Sequence, residues 1–192
     1  MEIEIAHMMK QMSNREKSIA GAEKSLADQY GDYTRFMGIF VRKLRDLSKQ
    51  LEILSRENRS GITKDEVEDN KEYVRQLDGA IESKEKYNDK LKDLAIQKKS
   101  LLEKRIEYAD IMIDIAKIRR KVVDAGLKIE AAKNKMIAAE KIASTEARLK
   151  DLEREYSRKK KDLEKKSEQL EKERDEVNAM WETLKTVTKG ME

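Results

Sequence analysis

The sequence predicts an all-α protein that folds as an elongated, antiparallel three-helix coiled coil. The 192 residues contain no proline and are 43% charged, and apolar residues recur at spacings of three and four. In addition, residues that typically end one helix and begin the next occur at two positions, near residue 61 and near residue 144. A compact globule has about a quarter of its residues charged, whereas a disordered chain lacks regularly spaced apolar positions. The excess charge is therefore expected to coat long helices that bury one narrow stripe each.

The first helix is predicted from about residue 5 to residue 58. It carries an apolar stripe with the alternating spacing that is typical of a left-handed coiled-coil seam. The stripe consists of Ile19, Ala22, Leu26, Tyr30, Tyr33, Met37, Phe40, Leu44, Leu47, Leu51 and Leu54. We expect this stripe to pack against the other helices, and its middle, around Phe36 and Val41, to be buried on more than one side.

Two boundaries divide the rest of the chain. After Gly61, which can adopt the left-handed conformation that ends helices, the run Thr63-Lys64-Asp65-Glu66 matches a capping box. A short turn is therefore expected there, followed by a long second helix over residues 64–141. Ser144 or Thr145 is then predicted to cap a third helix over residues 145–189, before Gly190.

The long middle helix is expected to outrun its neighbours and to leave apolar surface uncovered. A thin helical monomer of this kind is expected to dimerise, since doubling the number of helices buries the stripes. The residues predicted to form the core or the dimer interface are Phe36, Phe40, Leu44, Leu47, Ile113, Val123 and Trp181.

Positive charge is concentrated in one window, from Lys117 to Lys166. This window contains 17 basic and 9 acidic residues, in a chain whose net charge is +4. A turn near residue 143 would gather this charge at one end of the helices. Such a surface attracts anionic lipid headgroups or nucleic-acid phosphates, although solvated lysines on a coiled coil have the same composition. Nucleic acid is the weaker hypothesis, because Tyr156 is the only aromatic among these residues and lies on the apolar stripe.

The residue types needed for catalysis are scarce. The chain has no cysteine, and its single histidine, His7, is expected to be a surface residue near a helix end. No glycine-rich phosphate loop or metal-ligand spacing occurs, so we expect no enzyme activity, no cofactor and no metal. No apolar run approaches the roughly 20 residues that span a bilayer, so any membrane contact is predicted to be peripheral. The absence of cysteine fits a cytoplasmic protein, which is the expected location.

Three stretches resemble a known family: YTRFMGIFVRKLRDL at residues 33–47, IRRKVV at 118–123 and ARLKDLEREY at 147–156. Together with three helices of unequal length and a basic end, they look like the BAR domain superfamily, with sorting-nexin-type BAR domains as the closest match. The resemblance implies a homodimer, or a heterodimer with a related chain, that forms a six-helix crescent. The third helix is shorter than in sorting nexins and no PX domain precedes it, so a fragment or another branch of the family is expected.

The resemblance also implies a function, in which basic residues of the second and third helices contact anionic, phosphoinositide-containing membranes such as endosomes. The implied lipid contacts are Arg119, Arg120, Lys121, Lys128, Lys133, Lys135, Lys141, Arg148 and Lys150. One hypothesis is thus a dimer that senses or generates membrane curvature. The other is a spectrin-like or cytoskeletal coiled-coil scaffold or tether that acts through protein contacts without lipid.

Overall fold

The computed structural model describes residues 2–57, 61–134 and 139–189, and these form three long helices. Helix α1 is Glu2–Arg56, α2 is Lys64–Asn134 and α3 is Ala139–Lys189. No strand occurs within these ranges. The prediction of an all-helical chain with three helices, the middle one longest, is therefore confirmed.

The first predicted boundary is confirmed in atomic detail. The backbone amide of Thr63 donates to Glu66 Oε2 at 2.9 Å, and the amide of Glu66 donates to Thr63 Oγ1 at 3.2 Å. This is the reciprocal pair of a capping box, and the Thr63 amide lowers the pKa of the Glu66 carboxyl. Gly61 has a φ of 64°, in the left-handed region that favours glycine. Asn58, Arg59 and Ser60 lie outside the described residues.

The second boundary differs from the prediction. Helix α3 begins at Ala139, so Lys141 belongs to α3 and not to the end of α2. Thr145 does not cap the helix, because its hydroxyl donates to the carbonyl of Lys141 at 2.9 Å, one turn earlier in the same helix. Ala139 and Ala143 have high helix propensity, which favours an earlier start. Residues 135–138 lie outside the described part of the chain.

Contacts divide the chain into two compact units. Unit 1 comprises Met1–Ile19 with Gln97–Glu176, and unit 2 comprises Ala20–Ile96 with Val177–Glu192. In both units, ion pairs join α1 to α2. Residues later in α1 pair with residues earlier in α2, so the two helices are antiparallel. The pairs, at 2.6–3.1 Å, are Lys10–Asp110 and Glu16–Arg105 in unit 1, and Asp28–Lys92, Arg45–Asp78 and Glu52–Lys71 in unit 2.

Helices α2 and α3 are also antiparallel. Within unit 1, Lys133 of α2 pairs with Glu146 of α3. In three further pairs, residues progressively earlier in α2 meet residues progressively later in α3. These are Asp114–Lys159 at 2.9 Å, Glu107–Lys166 at 2.6 Å, and Lys104–Glu173. The hairpin formed by α2 and α3 in unit 1 therefore carries both flanks of the basic window.

The buried seam of α1 consists of small residues spaced seven apart. They are Ala6, Ser13, Ala20, Ala27, Thr34, Val41 and Ser48. Helix α2 has a buried series with the same period, in which only Ile81 is half-buried: Val67, Val74, Ile81, Asn88, Ala95, Leu102 and Ala109. In unit 1, Ala6, Ala109 and Ile113 pack together. A seven-residue period on both helices is the pattern of coiled-coil packing.

The apolar stripe predicted for the first helix coincides with this buried side only in part. Met37, Leu44 and Leu51, each three residues after a seam position, are half-buried, whereas the other members of the stripe are exposed in the single chain. Ile19, Leu26 and Tyr33 are about half exposed, at 59%, 49% and 52%. Each stands one residue before a buried seam position, which places it about 100° further round the helix. Alternating spacing indicates that a stripe suits a helix partner. In α1, however, the most buried positions are the small residues that recur every seven positions.

The residues predicted as core or dimer interface fall into two groups. Ile113 is buried at 6% exposure and Leu44 is half-buried. The others are exposed in the single chain and are not its core: Phe36, Phe40, Leu47, Val123 and Trp181. Phe40 and Leu47 each stand one residue before a buried position of α1. Their place in a dimer interface stays a prediction.

Two buried hydroxyls lead to a prediction about stability. Ser13 Oγ and Ser48 Oγ are buried without a hydrogen-bond partner. We expect Ser48→Ala to raise the free energy of unfolding by about 1 kcal/mol, since it removes an unsatisfied polar group and improves helix propensity. Urea unfolding followed by circular dichroism measures this. The control is Ser18→Ala, whose exposed hydroxyl donates to the carbonyl of Asn14, and which should gain less. A less stable Ser48→Ala protein would contradict the prediction.

Acid is expected to destabilise the fold through three carboxylates that bridge α1 and α2. Hydrogen bonds from lysines lower their pKa values: Lys92 acts on Asp28, Lys71 on Glu52 and Lys17 on Glu103. Because the folded pKa lies below the unfolded one, their contribution is present above the unfolded pKa and is lost as pH falls. The melting temperature should be flat near neutrality and drop below about pH 4. Asp28→Asn should flatten the drop, and an unchanged acid limb in that variant would argue against the mechanism.

Candidate functional site

The basic window lies wholly in unit 1, on the C-terminal part of α2 and the N-terminal part of α3. Several of its residues are neutralised by a nearby carboxylate. These pairs are Arg119–Glu2 at 2.9 Å, Lys133–Glu146 at 3.2 Å, Arg154–Asp151 at 3.6 Å, Lys159–Asp114 at 2.9 Å and Lys166–Glu107 at 2.6 Å. Such exposed pairs contribute little to stability, but they remove positive charge from the surface available to a ligand.

The other described basic residues of the window are exposed, and none has a carboxylate within 4.0 Å in the part of the chain that the structure describes. They are Lys117, Arg120, Lys121, Lys128, Lys141, Arg148, Lys150, Arg158, Lys160, Lys161 and Lys165. Their charges are therefore available to an external anion. Lys135 lies outside the described residues.

The Asp114–Lys159 ion pair marks one side of the α2–α3 hairpin. On α2, Lys121 and Lys128 follow Asp114 at intervals of seven residues, which is two helical turns each. Side chains at this interval lie on the same side of a coiled-coil helix. The two lysines therefore extend along the side of α2 that carries Asp114.

On α3, Arg148 and Lys141 precede Lys159 by 11 and 18 residues. These separations are close to three and five whole turns of an α-helix, so both side chains share the side that carries Lys159. Four basic residues from two helices, all without a carboxylate partner among the described residues, thus lie on the same side of one hairpin. We call Lys121, Lys128, Lys141 and Arg148 the basic side.

The remaining predicted lipid contacts lie elsewhere. Arg119 and Lys133 are paired, and Arg120 lies one residue before Lys121, about 100° further round α2. Lys150 borders a shallow groove of about 490 Å³ on α3. The groove is lined by Lys150, Glu153, Arg154, Ser157, Arg158 and Lys161. Sequence reasoning did not include Arg158 and Lys161 among the lipid contacts, although successive helical steps of four, four and three residues lead from Lys150 through Arg154 to both.

A second candidate surface lies in unit 2 on α1, next to the buried seam. Its large apolar side chains are 48–67% exposed; we call them the α1 apolar face, and they are Leu26, Tyr30, Tyr33, Phe36, Phe40 and Leu47. Tyr30 and Tyr33, with Tyr87 and Asn88 of α2, border a cavity of about 230 Å³. Contiguous exposed apolar surface of this kind marks an interaction site in soluble proteins.

Other kinds of site have little support among the described residues. No group of three or more His, Cys, Asp or Glu side chains there could hold a metal ion. Over the same residues, no helix contains a stretch that is apolar and long enough to cross a bilayer. His7 is exposed, as predicted.

Comparison of the chain with protein-family models, with curated proteins and with solved structures finds no match. The class of protein therefore follows from the fold and the two surfaces alone. The chain is an all-α, coiled-coil-like protein with antiparallel helices, a basic side in unit 1 and an exposed apolar face on α1 in unit 2.

Proposed function

We propose that this protein is a peripheral membrane-binding protein that contacts anionic phospholipids through its basic side and acts as a dimer. The observation that carries the proposal is a set of four basic residues on one side of the α2–α3 hairpin that have no carboxylate partner in the described part of the chain. They are Lys121, Lys128, Lys141 and Arg148. A basic residue at an anionic membrane surface contributes about 1 kcal/mol. Four of them supply about 4 kcal/mol, which corresponds to a dissociation constant of about 1 mM.

Binding this weak becomes effective when two such surfaces act together. A second copy of the chain presents a second basic side, and linked sites bind far more tightly than either site alone. The α1 apolar face supports such a dimer. At about half exposure of roughly 200 Å² each, its four aromatic residues alone offer about 400 Å². With Leu26, Leu47 and the flanking α1 residues, this approaches the roughly 800 Å² per partner of a stable interface.

In its most specific form, the proposal is a BAR-type dimer, a six-helix crescent that senses or generates curvature in anionic membranes, with endosomes as candidates. The mechanism is physical, because adhesion between a rigid basic surface and anionic lipid offsets the free energy of bending the bilayer. The resemblance of residues 33–47, 118–123 and 147–156 to sorting-nexin-type BAR domains supports this form.

A second candidate is a coiled-coil scaffold or tether that acts without lipid. The α1 apolar face favours it, because helices of another protein could cover Tyr33, Phe36 and Phe40 as well as a second copy could. In that case the basic side would contact solvent or an acidic protein.

Sedimentation with vesicles distinguishes the two candidates. The protein is mixed with vesicles containing anionic phosphatidylserine at low and at high salt, and with neutral phosphatidylcholine vesicles as the control. We expect binding to the anionic vesicles alone, and its loss at high salt, since screening shortens the range of exposed charges. Electron microscopy of the same samples tests for tubules. A dimeric protein that does not sediment with anionic vesicles would support the scaffold instead.

A further inference from the structure

Two large apolar side chains are exposed on α2 within the basic window. Val123 is 54% exposed and Leu127 is 59% exposed. They are four residues apart, so they are neighbours on one face of the helix. Arg120 precedes Val123 by three residues on that face, and Lys128 follows Leu127 directly. All four residues lie in unit 1.

The packing of this segment does not need either side chain. The buried residues of α2 here are Ile118, Ala125 and Ile129, at 5–8% exposure. Val123 precedes Ala125 by two residues and Leu127 follows it by two, which places each about 160–200° round the helix from Ala125. The pair therefore lies on the exposed side of α2, with Val123 at the edge that borders α3.

A groove continues this apolar surface towards α3. It has a volume of about 380 Å³ and is bordered by Arg119, Val122 and Val123 of α2 and by Glu153, Tyr156 and Ser157 of α3. Val122 and Tyr156 thus extend the apolar surface beyond Val123. An apolar face flanked by lysine and arginine is the arrangement with which helices lie in the interface of anionic membranes.

We propose that Val123 and Leu127 insert into the boundary between headgroups and acyl chains of an anionic bilayer while the flanking Arg120 and Lys128 hold the surrounding phosphates. This inference rests on the proposed membrane binding. It adds which side chains enter the bilayer and how deeply they enter it. Charge complementarity selects the occupant, because the exposed basic residues 117, 120, 121 and 128 outnumber the one acid among them, Asp124. Long basic side chains can extend towards phosphates while their alkyl stems lie against the apolar pair.

The chain contains no cysteine, so a single introduced thiol can carry a probe without background labelling. Leu127→Cys is labelled with the environment-sensitive fluorophore NBD and mixed with phosphatidylserine vesicles whose acyl chains carry nitroxide groups. The matched control is Ala80→Cys, an exposed α2 position in unit 2. We expect the nitroxide groups to quench the probe at residue 127 and not the probe at residue 80. Sedimentation is measured on the same samples.

The outcomes separate this inference from the proposed function. Quenching at residue 127 alone supports insertion. Sedimentation without quenching means that charge alone holds the protein on the surface, which overturns the inference and leaves the proposed function intact. If no variant sediments with anionic vesicles, the proposed function fails and the inference fails with it.

A second pair of substitutions removes any contribution from the probe. Val123→Ser with Leu127→Ser should lower the affinity for anionic vesicles about tenfold or more, because the apolar area available for burial is lost. The helix content measured by circular dichroism should not change, since both side chains are exposed. An unchanged affinity in a folded double variant overturns the proposed insertion.

Discussion

Replacing Lys121, Lys128, Lys141 and Arg148 together with glutamate is expected to abolish sedimentation with anionic vesicles near physiological salt. Each substitution removes an attraction worth about 1 kcal/mol and adds a repulsion, so the total exceeds the weak affinity of one basic side. The four side chains are exposed and unpaired among the described residues, so the helices should form as before. Circular dichroism and thermal unfolding check this point.

The control for this variant has the same change in net charge at another place. Lys24, Lys49, Lys64 and Lys90 are exposed residues of unit 2, and their replacement by glutamate should leave most of the vesicle binding. Equal loss in both variants would mean that net charge, and not the basic side, attracts the protein to lipid. Unaltered binding by the first variant would contradict the proposed site.

Phe36→Glu with Phe40→Glu is expected to convert the proposed dimer to a monomer. Both side chains are exposed in the single chain, at 67% and 48%, so the substitutions should not unfold it. In a dimer through the α1 apolar face, each copy would have to bury unpaired carboxylates, at a cost of several kcal/mol. The association constant should fall by about a thousandfold or more. Sedimentation velocity over a range of protein concentrations measures the change.

Tyr73→Glu provides the matched control for the dimer. Tyr73 is 58% exposed on α2 in unit 2 and is not part of the α1 apolar face. This variant should associate as the unaltered protein does. A phenylalanine double variant that remains dimeric would exclude the α1 apolar face as the interface. The monomeric variant also tests avidity, since its affinity for vesicles should be much lower than that of the dimer.

Local signals in the sequence predicted the helices well. Thr63 and Glu66 form the expected capping box, because its two hydrogen bonds involve residues only three apart. The start of α3 was predicted too late for a related reason. Thr145 has the chemistry of a cap, but the same hydroxyl can bond to the preceding turn of a helix, as it does with Lys141. Composition alone does not distinguish these two uses of a threonine.

The candidate site was predictable only in part. The sequence located the positive charge between Lys117 and Lys166, because charge is a property of residue type. It did not reveal which charges are neutralised, since the partners come from distant segments. Arg119 pairs with Glu2, which is 117 residues away, whereas Arg120 next to it has no such partner among the described residues.

By itself, the sequence determined that this chain forms long helices, where the first of them ends, and which segment is basic. Those properties depend on residue type and on contacts within a turn or two. The tertiary structure alone decided which heptad series of α1 is buried. Both Phe40 and Val41 belong to a series of period seven, and it is the pairing with α2 that buries Val41 and leaves Phe40 exposed. Packing between two helices depends on the side chains of both, so the residue pattern of one helix alone does not predict which of its series is buried.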